Sequence, residues 1–124
     1  MATYSSNTTL KISAGIAAQA TASRNVGGTT DVNVYTTPAN SSAWVWVRID
    51  ASGSPAGANG EVFLNASYAP FPISLTSGTI VGTKEINLYI GPSATIIARV
   101  NHPGGAGTFN TTVRVVGTLM VNSP

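Results

Sequence analysis

A chain of 124 residues is long enough to bury one core and too short to divide into two, so every element must serve a single fold. Only 8% of its residues are charged, far below the usual quarter, and the +2 net charge comes from scattered residues without a basic run, which argues against a nucleic-acid partner. The absence of cysteine excludes a disulfide framework and a thiolate metal site, and no apolar stretch is long enough for a transmembrane helix, so no membrane partner is expected.

In chain order, residues 1–9, MATYSSNTT, lack the basic and long apolar regions of a secretory signal. The small, polar stretch 2–9 suits an N-terminal arm, residues 1–9, laid on another subunit. Residues 10–124 then form one domain. Four Asn-x-Ser/Thr triplets, at Asn7, Asn40, Asn65 and Asn110, follow from a composition rich in those residues. Residues 10–20 are rich enough in alanine for a helix, but Leu10, Ile12, Ala14, Ile16, Ala18 and Ala20 all fall at even positions and Gly15 penalises a helix interior. A strand is expected.

Alternation then recurs in short segments separated by turn residues, the pattern of an antiparallel sandwich. Residues 31–37 set Val32 and Val34 against Asn33 and Tyr35, and PANSS turns the chain. In the AWVWVRIDA segment, residues 43–51, Val45, Val47 and Ile49 alternate with Trp44, Trp46, Arg48 and Asp50. After the small-residue loop 52–60, Val62 and Leu64 resume an inward face. Residues 68–73, YAPFPI, carry too many prolines for a central strand and are expected to cross an edge or an end. Ile86, Leu88 and Ile90 alternate with Asn87 and Tyr89, Gly91-Pro92-Ser93 turns, and Ile96, Ala98 and Val100 return. A glycine-rich loop, 102–107, precedes a long last strand through Val113, Val115, Gly117, Leu119 and Val121. The fold class expected is all-β, a single antiparallel jelly-roll-like sandwich with an extended N-terminal arm.

The inventory for chemistry is poor. His102 is the single histidine, and it sits in NHPGG with no G-x-S-x-G elbow in the chain, so a structural loop histidine is expected. The acids Asp31, Asp50, Glu61 and Glu85 are dispersed; an Asp50–Glu61 glycosidase pair has nothing particular to recommend it. Asp50 and Glu61 also stand at the first and twelfth positions of a calcium-loop spacing. Pro55 occupies the position that requires glycine, and the middle ligands carry no carboxylates. No catalytic, cofactor-binding or metal-ligating residue is expected.

The tryptophans remain. A second sheet or the N-terminal segment could cover Trp44 and Trp46, a partner could bury them, or they could form a sugar platform. The candidate protein interface comprises Trp44, Trp46, Arg48, Tyr35, Tyr68, Phe71 and Tyr89.

The stretches VYTTPANSSAWVWVRIDASG, EINLYIGPSATIIARV and VRVVGTLM resemble small β-sandwich structural modules of tailed bacteriophage virions. In such modules a TxPAN-type turn links two strands and a later GPS turn precedes another. These features fall here on residues 35–40, 43–51 and 88–93, and the resemblance covers roughly 31–120. It implies a non-enzymatic protein located in the virion, commonly a homotrimer, with itself and a major capsid or other virion protein as partners. A chain that starts at Met1, stops after its last strand and has no coiled-coil or collagen-like shaft is expected to be a capsid decoration (cement) protein. A tail or fibre module that binds a receptor carbohydrate is the alternative.

Overall fold

The computed structural model describes residues 9–54, 59–66, 74–76 and 83–123. Among them the chain forms β1 (Thr9–Arg24), β2 (Gly28–Thr36), β3 (Ser41–Asp50), β4 (Asn59–Ala66), β5 (Ser74–Thr76), β6 (Thr83–Ile90), β7 (Ala94–His102) and β8 (Phe109–Ser123). The strands pair antiparallel in two four-stranded sheets, one in the order β1-β8-β3-β6 and the other β2-β7-β4-β5. The chain changes sheet at every connection except β4 to β5, which is the wrapping of a jelly roll.

Period-two patterning builds the core. Ala43, Val45, Val47 and Ile49 of β3 turn inward with Val113 and Val115 of β8, and Ala94, Ile96 and Ala98 of β7 meet them from the opposite sheet. A smaller cluster of Ala22, Val100 and Phe109, with Val32 against it, closes one end. Within this interior Thr111 is fully buried and its hydroxyl has no hydrogen-bond partner among the described residues.

Each end of the sandwich is stitched by a hydroxyl. At one, Thr37 beyond β2 is 2% exposed. Its Oγ1 donates to Gly91 O at 2.6 Å and accepts from the Ala94 N–H at 2.8 Å, while its own N–H donates to Ala94 O at 2.9 Å. The β2–β3 and β6–β7 turns are thereby joined. Ser93, in the second turn, adopts a left-handed φ of 57°. At the opposite end the Ser54 hydroxyl donates to Asn110 O at 2.8 Å and accepts from Asn110 N–H at 2.7 Å, pinning the chain after β3 to the start of β8.

The alanine-rich segment is a strand, as its even-position pattern implies, and extends to Arg24 with a register shift between Ile12 and Ala14. Two differences stand out. The three-residue β5 carries too little alternation to be read from sequence. In β2 a register shift between Asn33 and Tyr35 inserts one residue, so Tyr35 pairs with Ile96 and packs against the core instead of sharing the outward side of Asn33. Residues 1–8 of the expected arm, and 68–73 with Tyr68 and Phe71, lie outside the described residues; Thr9 already belongs to β1.

Candidate functional site: the outer face of the β1-β8-β3-β6 sheet

Because β3 is central and paired on both sides, its outward residues define rows across the sheet. Trp44 lies between Tyr89 of β6 and Thr118 of β8, and Trp46 between Asn87 and Val116. Arg48 lies between Glu85 and Arg114, and Asp50 between Thr83 and Thr112. Trp44 is 58% exposed and Tyr89 49%, two of the large hydrophobic side chains that the described residues leave most open. Their rings meet at a centroid separation of 4.9 Å and a tilt of 57°. This is a cross-strand aromatic pair, an arrangement that adds stability beyond burial. Trp46 is half-buried.

Gly117 shapes this surface. A Cβ at that position would run into the carbonyl oxygen of Trp44 and the Cα of Val45, so glycine alone lets β8 approach β3 so closely here. Beside it lies an open, mostly apolar depression of about 320 Å³ lined by Trp44, Trp46, Asn87 and Val116. A polar depression of about 180 Å³, lined by Gln19, Arg48, Asp50, Thr112 and Arg114, belongs to the same face.

The charges here are poorly matched within the chain. Arg48 and Arg114 stand directly opposite each other, a like-charge juxtaposition that weakens a strand pair. Among the described residues neither arginine forms an ion pair, although Glu85 is the other cross-strand neighbour of Arg48. Hydrogen bonding to Ser52, whose N–H donates to Oδ1 at 2.8 Å, holds the Asp50 carboxyl below its ordinary value; the Arg48 charge adds a smaller push the same way.

The outer face of the other sheet is built on the opposite plan. Arg99 donates from Nε and Nη2 to the two carboxylate oxygens of Asp31 at 2.7 and 2.9 Å, and its guanidinium sits 3.9 Å from the centre of the Phe63 ring. Asn101 donates to Glu61 at 2.5 Å and accepts from the Thr29 hydroxyl at 2.7 Å. On that face Asp31, Arg99, Glu61 and Asn101 find their partners within the chain.

Of the residues expected at an interface, Trp44, Trp46, Arg48 and Tyr89 come together on one face. Tyr35 does not: it lies in the other sheet against the core, where burial pushes its phenol up from the ordinary value. Sequence pattern missed Asn87, Val116 and Gly117 beside the tryptophans and Arg114 opposite Arg48, because these places are set by strand register. His102 is 4% exposed and structural in its contacts, with Nδ1 accepting from Gly104 N–H at 2.9 Å, Nε2 lying 2.9 Å from Gly107 O and the ring against Phe109 at 4.3 Å. Asp50 and Glu61 face outward from different sheets with the core between them, so they form no pair. The calcium-loop spacing between them includes residues 55–58, outside the described residues; among those described, no three His, Asp or Glu side chains are grouped to hold a metal.

No family model matches the chain, and no curated protein matches it.

Proposed function

We propose that this protein is a non-enzymatic structural component of a tailed bacteriophage virion, a capsid decoration protein that associates with itself and with the capsid through the outer face of the β1-β8-β3-β6 sheet. One observation carries the reading: Trp44 and Tyr89 stand side by side in solvent, outside a core that is complete without them. Aromatic and arginine side chains of this kind are enriched where proteins bury one another. The jelly roll suits the resemblance, since capsid proteins use it widely, but lectins do too. A tail or fibre module that binds carbohydrate is therefore the second reading, favoured by the depression in which Asn87 adjoins the two tryptophans.

The test uses the purified chain. Trp44→Ser with Trp46→Ser is expected to keep the circular-dichroism spectrum and melting cooperativity of the parent while self-association, followed by sedimentation, weakens by about 2 kcal/mol or more. Val47→Asp places a charge in the core and is expected to abolish soluble folded protein. If the double tryptophan variant unfolds as completely as the Val47 variant, the tryptophans belong to the fold and this assignment fails. Binding of the unaltered chain to a glycan array, lost in the tryptophan variant, would select the carbohydrate reading instead.

A further inference from the structure

From the row pattern of β3 and β6 we infer that a second copy of this chain docks face to face on the aromatic surface, about a two-fold axis that runs along the strands between β3 and β6. The inference rests on the self-association proposed above and specifies its geometry. Such an axis exchanges the two strands, so each outward residue of β3 lies over its own row partner in the other copy. The rows are complementary under that exchange. Trp44 meets Tyr89, Trp46 meets Asn87, and Arg48 meets Glu85, each contact occurring twice.

Charge complementarity supports this occupant, and it favours an axis between β3 and β6 over one on β3. Within one chain Arg48 and Glu85 are cross-strand neighbours yet make no ion pair, while the opposite outer face closes its Asp31–Arg99 pair internally. Moving the axis onto β3 itself would set Arg48 against Arg48. Placed between β3 and β6, it gives every Arg48 a carboxylate across the contact and lets Arg114 overhang the β6 edge into water. Two exposed Trp44–Tyr89 pairs then become one four-ring cluster, removing from solvent the large apolar side chains that these strands leave open.

A mixing experiment decides it. Arg48→Glu alone sets carboxylate against carboxylate at both copies of the contact, and Glu85→Arg alone sets arginine against arginine at both. In a one-to-one mixture, however, a chain of each kind replaces these repulsions with one contact between two exchanged charges and one between the native pair, and both are of opposite sign. By sedimentation at about 50 μM the parent is expected to be a dimer, since an interface of ordinary quality persists there. Each single variant should associate roughly tenfold or more weakly, and the mixture should recover a heterodimer. An ion pair made only within one chain cannot be rescued by mixing. A monomeric parent overturns this contact together with the self-association reading. A parent that is oligomeric, a trimer included, but indifferent to the single variants, or whose mixture stays dissociated, overturns the contact alone. Should a charge-reversed chain fail to fold, Arg48→Gln and Glu85→Gln carry the same test, each weakening the dimer and their mixture regaining one of the two ion pairs.

Discussion

Replacing Thr37 by valine preserves volume and branching while deleting one hydroxyl, and the structure says what that hydroxyl does. It is the acceptor for the buried Ala94 N–H and the donor to Gly91 O. Thr37 and Ala94 are 2% and 1% exposed, so water cannot replace the lost atom without opening the turn. An unsatisfied buried N–H costs about 1–3 kcal/mol, and the carbonyl, which tolerates loss of a partner better, adds less. Transfer of one extra methyl group offsets about 0.8 kcal/mol. The net expectation for Thr37→Val is a loss of about 2 kcal/mol. Thr37→Ser keeps the hydroxyl and loses only a methyl, at about 1 kcal/mol. Equilibrium urea denaturation reads both through the midpoint at unchanged slope. If valine is tolerated better than serine at this position, packing rather than hydrogen bonding holds the two turns together, and the role given to Thr37 is wrong.

Two further outcomes follow from buried and paired polar groups. Thr111→Val removes a fully buried hydroxyl that lacks a partner among the described residues and keeps the shape of the side chain, so stability should rise by about 1 kcal/mol; a loss on urea denaturation would mean that the hydroxyl is bonded after all. The hydrogen bonds from Arg99 hold the Asp31 carboxyl below its ordinary value, so its stabilising contribution is present above the unfolded-state value near 3.8 and is lost as pH falls through the depressed folded value. The pair is well exposed, which limits its contribution to less than about 1 kcal/mol. The stability difference between parent and Asp31→Asn should accordingly be largest near neutral pH and vanish in strong acid, and a difference that grows on acidification contradicts the assignment.

The sandwich is legible in the sequence because its inward positions alternate strand by strand, most clearly in β3, where Val45, Val47 and Ile49 oppose Trp44, Trp46 and Arg48. The even-position period, with Gly15 weighing against a helix interior, also separates β1 from a helix. What alternation cannot carry is anything set between strands. Tyr89 reads as an outward aromatic of β6, but its contact with Trp44 depends on the β3–β6 register, and Arg114 reaches Arg48 only through the β3–β8 register. Tyr35 shows the complementary failure, since one inserted residue in β2 exchanges the two faces beyond it without any mark in the composition. The TTPAN and GPS stretches both read as turns, far apart in sequence, and have a physical link that only folding reveals, the Thr37 hydroxyl between them.

The sparseness of charge gives the placement of each charged residue unusual weight. Of six cations and four acids, Arg48, Asp50, Glu85 and Arg114 stand on the aromatic face, while on the opposite face Asp31 pairs with Arg99 and Glu61 accepts from Asn101. A surface with exposed tryptophan and tyrosine invites indiscriminate association, and interspersed charges of both signs are the usual means of restraining it. Four charges that were fully paired within the chain would restrain association with every partner alike. In the proposed dimer Arg48 and Glu85 meet across the contact, so that charge would set the orientation of the partner while the aromatic rings supply the affinity. The two arginines held opposite each other on β3 and β8 are a like-charge strand pair that costs the sheet stability locally, and the proposed contact leaves that cost in place because Arg114 overhangs the β6 edge.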